Sequence, residues 1–285
     1  MNNDRLLYRR GILQLVASGF FLSTAGIALR LVEQADGWQI LFYRSLALSI
    51  TILLILVFQK RSRFFDEFRG LGWNDCLLAV FLGTGFVAYV FALLYNTVAN
   101  ALFIFSCASF VAGFLGWILL GERVKTQTWF SIGVAMAGLA VMVGSELAVS
   151  RYLGTLLALW IPIAYAASII AVRRSKRDNM LVALCLAGLV AGGLSAFFVT
   201  DYALTPRDLI ISLYLGVFQV GVGFTLVVLG TRYVPAAQVG LLALVEPVLA
   251  PIWVWMGVGE VPKSSNDRWR DNNILGDNYR RYSKH

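Results

Sequence analysis

Two ionisable residues stand inside long apolar stretches of this sequence. Glu246 lies near the middle of one stretch, and Arg44 lies about a third of the way into another. A charge centred in a membrane helix costs roughly 2.5–3.5 kcal/mol on insertion scales, so such groups usually face a cavity or a partner. The two residues could pair with each other or bind the opposite charges of a zwitterionic ligand. Alternatively, Glu246 could cap backbone groups freed by neighbouring prolines, and Arg44 could extend toward the outer headgroups.

Five further polar or aromatic side chains in apolar stretches are candidates to line a binding cavity. One lies in a glycine-rich stretch that would leave room for a ligand, one flanks a very short turn, and three are aromatic. Each of the five could equally serve helix packing or hydrogen bonding between helices. With the two ionisable residues they form the predicted binding set, which is Glu246, Arg44, Gln219, Asn100, Tyr89, Trp160 and Tyr165.

The residue types that support most enzyme and metal chemistry are sparse. Cys76, Cys107 and Cys185 are not in a CxxC spacing, and His285 is the single histidine. This pattern argues against a disulfide framework, a zinc site or a histidine-based triad. A P-loop motif and a paired-carboxylate motif are also missing. We therefore predict no catalytic residue, no metal and no cofactor, with a membrane-embedded enzyme as the less favoured alternative.

The composition indicates that these residues sit in an α-helical integral membrane protein. The chain is 59% hydrophobic and 14% charged, whereas soluble domains carry roughly 25% charged residues. A helix needs about 20 apolar residues to cross a bilayer, and the apolar runs are continuous rather than alternating as in a barrel. We predict nine spans, at residues 11–29, 37–58, 76–95, 97–120, 126–144, 154–172, 179–200, 207–230 and 236–258.

The basic residues between these spans predict the orientation. Most of them fall on the side of the N-terminus, and the loops of the other side hold only Arg30, Arg151 and Arg207. Cytoplasmic loops carry the excess of Lys and Arg. We therefore predict a multi-pass protein of the inner (plasma) membrane with a cytoplasmic N-terminus. Because the net charge of +8 is dispersed over short loops, we expect no nucleic-acid partner.

Internal similarity predicts two repeats. Gly121-Glu122 closes the fourth span and Gly259-Glu260 closes the ninth, although chance similarity among apolar helices could produce the same match. Repeats of five helices must insert with opposite topology, a plan common in secondary transporters. The predicted fold is thus all-α, with two inverted five-helix repeats. Residues 1–145 would hold five helices, 146–260 four helices, and 261–285 a polar tail that we expect to be disordered.

These motifs together resemble the EamA-type branch of the drug/metabolite transporter superfamily. The two Gly-Glu helix ends, Phe42-Tyr43-Arg44-Ser45 and the stretch from Leu244 to Pro251 carry the resemblance, over roughly residues 10–260. It implies ten helices around a central cavity and the export of amino acids or other small metabolites. The sequence departs from this pattern after Glu260, where the expected tenth helix is missing.

The resulting hypothesis is a secondary transporter that exports small metabolites or amino acids across the inner membrane by alternating access. Without an ATP-binding motif, uphill transport must be driven by proton coupling or by exchange, and Glu246 is the acid deep enough to carry a proton. The expected partners are a small-molecule substrate and the lipid bilayer, with the oligomeric state left open. The alternative within the same family is a truncated member without transport activity.

Overall fold

The computed structural model describes residues 2–60, 64–96, 98–143, 152–175 and 180–258. Its regular structure in these ranges is entirely helical, with a π-helical segment at Leu215–Val222 between α11 and α12. The α-helices are α1 (Asn2–Ser23), α2 (Ala25–Arg30), α3 (Gly37–Lys60), α4 (Phe64–Arg69), α5 (Trp73–Tyr95), α6 (Val98–Ser106), α7 (Ala108–Leu120), α8 (Thr126–Val143), α9 (Tyr152–Arg174), α10 (Leu181–Phe198), α11 (Pro206–Tyr214), α12 (Gly223–Thr231), α13 (Ala236–Ala243) and α14 (Val245–Val258).

Eight segments of the described chain are long and apolar enough to cross a bilayer. Large apolar side chains on their outer surfaces, such as Phe197 and Ile210, are exposed, as expected where lipid is the solvent. The predicted class, an all-α integral membrane protein, is therefore confirmed. The segments are Asp4–Arg30, Gly37–Gln59, Trp73–Tyr95, Asn100–Leu120, Leu156–Arg174, Leu181–Phe198, Pro206–Thr231 and Ala236–Val258.

The predicted fifth span coincides with α8, a helix of 18 residues that is not among these eight segments. The count of nine spans, the two inverted repeats and the cytoplasmic N-terminus therefore stay predictions. The polar tail at 261–285 and the missing tenth helix lie outside the described residues.

Several membrane-crossing segments are interrupted by a helix break. The segment formed by α13 and α14 breaks at Leu244, because Pro247 lacks an N–H and its ring would clash with the carbonyl four residues earlier, at Ala243. The first segment breaks at Thr24. The Thr24 hydroxyl donates a hydrogen bond to the Phe21 carbonyl at 2.7 Å. Hydroxyl groups that bond a preceding carbonyl in this way commonly bend helices.

A buried carboxylate fastens the loop between α2 and α3 to the start of α11. Asp208 is fully buried, and its carboxylate accepts hydrogen bonds from the backbone N–H groups of Glu33, Gln34 and Ala35, each at 3.0 Å. The Thr205 hydroxyl accepts the Asp208 N–H at 3.1 Å and caps the helix. The loop is therefore held by a charged acceptor that is shielded from water.

Replacing Asp208 by Asn tests this anchor. One carboxylate oxygen becomes an amide nitrogen that cannot accept, so at least one buried N–H loses its partner, at a cost of about 2 kcal/mol. We expect the unfolding temperature of the purified protein in detergent to fall by several degrees. Arg207→Gln is the matched control, because its ion pair with Glu33 is half exposed and such pairs contribute little. Equal unfolding temperatures for the two variants would contradict the role of Asp208 in holding the loop.

Candidate functional site

A narrow cavity of about 30 Å³ lies in the middle of the helix bundle. Helices α1, α3, α5, α6, α9, α12 and α14 and the π-helical segment all contribute to its wall. It combines two charged side chains with amide, phenol and apolar groups. The lining residues are Leu22, Arg44, Leu82, Gly85, Phe86, Tyr89, Phe105, Ile161, Ala164, Tyr165, Gln219, Phe224 and Glu246.

Glu246 enters the cavity from the first turn of α14, directly after the helix break at Leu244. The side chain is buried, and its Oε1 atom accepts a hydrogen bond from the Tyr89 hydroxyl at 2.5 Å. Hydrogen bonds to an ionised acceptor are shorter and stronger than neutral ones. The break at Leu244 therefore delivers a carboxyl group into the membrane interior, and Tyr89 on α5 holds it there.

Arg44 enters the same cavity from α3 and is also buried. Its Nη2 atom donates to Gln219 Oε1 at 3.3 Å. The guanidinium carbon lies 5.5 Å from the ring centre of Phe86 and 6.0 Å from that of Tyr89, within the range of cation–π attraction. The guanidinium therefore lies in the interior of the protein and does not extend to the headgroups.

The two charges are not joined directly. Among the described residues, no ion pair within 4 Å links Arg44 to Glu246. Tyr89 touches both, with its hydroxyl on the carboxylate and its ring beneath the guanidinium. Each charge is thus held by neutral partners, which leaves part of its hydrogen-bonding capacity for a ligand in the cavity.

Gln219 is placed by the π-helical segment. Its Nε2 atom donates to the Leu22 carbonyl at 3.4 Å while its Oε1 atom accepts from Arg44. Short π-helical stretches are frequent at functional sites because they change the direction of side chains within a helix. Gly216, in the same segment, packs against the Arg44 carbonyl and Ala47 so closely that a Cβ atom would overlap both.

Aromatic rings form the remaining wall of the cavity. The Phe105 and Tyr165 ring centres are 5.3 Å apart, and those of Phe86 and Phe224 are 5.0 Å apart, both in edge-to-face geometry. Phe86, Phe105 and Phe224 were absent from the predicted set, because a phenylalanine in an apolar span has no sequence feature that separates a cavity position from a packing position.

The structure brings five of the seven predicted residues together, namely Glu246, Arg44, Gln219, Tyr89 and Tyr165. Trp160 lies outside the cavity. It points away from the face of α9 that carries Tyr165, donates to the Thr84 hydroxyl at 3.1 Å and stacks on Phe81. Asn100 is also elsewhere, buried beside Asn96, to which it donates at 3.3 Å.

The described ranges hold no group of three His, Cys, Asp or Glu side chains placed to bind a metal ion.

Comparison with known proteins assigns this architecture to a class of membrane transporters. The model of the EamA-like transporter family matches residues 9–144 and 152–266. The chain therefore belongs to the EamA-like transporter family, and the resemblance inferred from its motifs is confirmed. This family membership points to a transporter rather than an enzyme.

Proteins similar to the chain include a curated transporter and a solved crystal structure. The uncharacterized transporter YwfM of Bacillus subtilis (strain 168) is 27% identical over 165 residues, which cover 56% of this chain and 56% of that protein. The chain thus spans about half the length of this curated relative. A solved crystal structure shares the fold with a TM-score of 0.70 and 18% identity, over 90% of this chain and 91% of the other.

Gly216→Ala tests the close contact that positions Arg44 and Gln219. The added methyl group would overlap the Arg44 carbonyl and Ala47, and overpacking of this kind typically costs about 1–3 kcal/mol. We expect lower thermal stability in detergent and weaker ligand binding. Gly193→Ala is the matched control, since a Cβ atom there meets open space and alanine favours the helix. Gly216→Ala with the stability and ligand affinity of the control would show that the contact is unimportant.

Proposed function

We propose that the protein is a secondary transporter that exports small zwitterionic metabolites, amino acids among them, across the inner membrane by alternating access. Membership of the EamA-like transporter family supports a transport role. The observation that carries the proposal is the central cavity, in which a buried guanidinium and a buried carboxyl group are held apart by neutral partners.

The charges of the cavity match a zwitterion better than a singly charged solute. Uncompensated charges in the membrane interior are costly, and Arg44 and Glu246 do not neutralise each other as a direct ion pair. A substrate carboxylate would bind the planar fork of Arg44, whose geometry suits a carboxylate. A substrate ammonium group would bind Glu246 in place of, or beside, the Tyr89 hydroxyl.

The remaining lining of the cavity favours a substrate that is small or has an apolar part. Phe105, Ile161, Tyr165 and Phe224 line it with apolar and aromatic surface. The cavity is smaller than typical small-molecule sites of about 300–1,000 Å³, so the lining side chains must move apart to admit a substrate. Removing apolar atoms of the substrate from water would add affinity beyond the two charge contacts.

The helix interruptions around the cavity are positions at which helices can bend during alternating access. The breaks at Thr24, Cys107 and Leu244 and the π-helical segment all lie within membrane-crossing segments. Discontinuous helices in secondary transporters lie close to the substrate, where free backbone groups can be satisfied by the cavity. Small rotations at these points would move the half-helices against each other while the charges stay in the centre.

Substitution of the two charged residues tests the proposal. Glu246→Gln and Arg44→Gln each remove one charge contact, worth about 2 kcal/mol or more for a desolvated pair, so we expect at least about a 30-fold loss of flux. Flux would be measured in proteoliposomes with a panel of radiolabelled zwitterionic amino acids that begins with leucine. Trp160→Phe is the matched control outside the cavity and should transport normally.

The double variant Arg44→Gln/Glu246→Gln separates substrate binding from a structural ion pair. If each charge binds one end of the substrate, the two losses add. Flux that recovers in the double variant would show that the residues serve each other instead. Full activity in either single variant, in protein that is monodisperse and thermally stable, would overturn the proposed site.

A second experiment tests how export is driven. We expect Glu246 to take up a proton on the outer side after substrate release and to release it inside on return, so that one proton enters as one substrate leaves. A pH-sensitive dye inside proteoliposomes should report substrate-dependent proton movement in the wild type and none in Glu246→Gln. Substrate exchange without proton movement in the wild type would contradict proton coupling and leave exchange as the driving process.

A further inference from the structure

A second, narrow apolar chamber of about 10 Å³ lies next to the central cavity. Leu82, Tyr165 and Phe224 line both spaces, so these side chains lie between the two. The chamber runs between α5, α9 and α12, away from Arg44 and Glu246.

The lining of the chamber follows one face of each helix toward one end of the bundle. On α9 the lining residues are Tyr165, Ser168, Ile169 and Val172, with the spacing of a single helical face. On α12 they run in the same spacing from Phe224 to Thr231. Seven residues of helix rise about 10 Å, so the chamber covers about 10 Å between the central cavity and the helix ends.

The chamber ends beneath an ion pair. Arg173, the residue after Val172, contacts Glu122 Oε1 at 2.5 Å with its Nε and Nη2 atoms. Its Nη1 atom donates to the carbonyls of Thr231 at 3.1 Å and Val234 at 2.5 Å. We refer to Arg173 and Glu122 as the latch.

The latch joins the ends of four helices near the chamber. Glu122 follows α7, Arg173 ends α9, and the two carbonyl acceptors lie at and just after the end of α12. Glu122 Oε2 also accepts the N–H of Ala236, the first residue of α13, at 2.9 Å. Both side chains are mostly buried, with 21% and 17% of their surface exposed, so the latch is largely withdrawn from water.

Phe224 closes the chamber on its inner side. Its ring lies edge-to-face against Phe86 at 5.0 Å and against Tyr165 at 6.2 Å. Edge-to-face aromatic pairs contribute only modestly beyond the area they bury, so a rotation of this ring would disturb less packing than a movement of a helix. The ring therefore forms a movable barrier between the charged cavity and the chamber.

One polar group inside the chamber has no partner in the structure. The Thr231 hydroxyl is fully buried and makes no hydrogen bond within the described part of the chain. Buried polar groups are generally hydrogen-bonded, and an exception needs an explanation. A passing solute or water molecule would give this hydroxyl a partner.

We propose that this chamber is a transit site on the substrate path, with Phe224 as its inner barrier and the Arg173–Glu122 latch as its outer one. The proposal rests on the transport function proposed above. It places one entrance of the path at the membrane face that carries Glu122, which the distribution of basic residues predicts to be cytoplasmic. Substrate for export would enter there when the latch opens.

The path can be tested by thiol labelling, independently of transport. In a background with the three cysteines replaced by alanine, Val228→Cys places a thiol inside the chamber. We expect a membrane-impermeant trimethylammonium methanethiosulfonate to label it slowly, from the Glu122 face only. Glu122→Gln should raise the labelling rate at least 10-fold. Glu33→Gln, which breaks the half-exposed pair with Arg207, is the matched control and should leave the rate unchanged.

Arg173→Lys provides a second opening variant if Glu122→Gln is unstable, because lysine keeps the charge but cannot make all four contacts of the guanidinium. Labelling that is unaffected in both variants, or equally fast from the opposite face, would overturn the path.

A labelled Val228→Cys protein should also lose leucine flux. Flux that persists after complete labelling counts against the chamber as a transit site while the transport function stands. Faster labelling in the latch variants of a protein that moves no solute supports the path and refutes the proposed function.

Discussion

The membrane interior offers no water to polar groups, and this constraint shapes every polar contact in the bundle. Glu246 and Arg44 are the clearest case, since both are ionisable groups at the centre of the protein. Tyr89 satisfies the carboxylate through its hydroxyl, and its ring faces the guanidinium, which Gln219 binds from the other side. The charges are thereby tolerated without cancelling each other, and a cavity with two opposite poles remains.

The same constraint explains why irregular backbone gathers around the cavity. A broken helix exposes carbonyl and N–H groups that lipid cannot satisfy, so breaks are tolerated only where protein or a cavity covers them. The break at Leu244 and the π-helical segment meet this condition, and each delivers one polar side chain, Glu246 or Gln219, to the centre. Irregular backbone and binding chemistry therefore coincide for one physical reason.

The two ends of the bundle are held by different devices. At one end, the buried carboxylate of Asp208 accepts hydrogen bonds from three backbone N–H groups of a loop. At the other, Arg173 and Glu122 join four helix ends through side chains that retain some contact with water. The first arrangement is withdrawn from water in the folded protein, whereas the second retains some contact with it. This difference makes the latch the end better suited to open.

The sequence by itself determined the all-α membrane class and the family, because apolar length, sparse charge and short motifs are properties of the chain. It also identified Glu246 and Arg44, since a charge in an apolar span is conspicuous before folding. Tertiary structure alone decided which neighbours share the cavity. On α9, Trp160 points outward although the next residue, Ile161, lines the cavity. Phe224 lines the cavity only because α5 and α9 pack around it. Such assignments depend on contacts between distant segments, which local pattern does not encode.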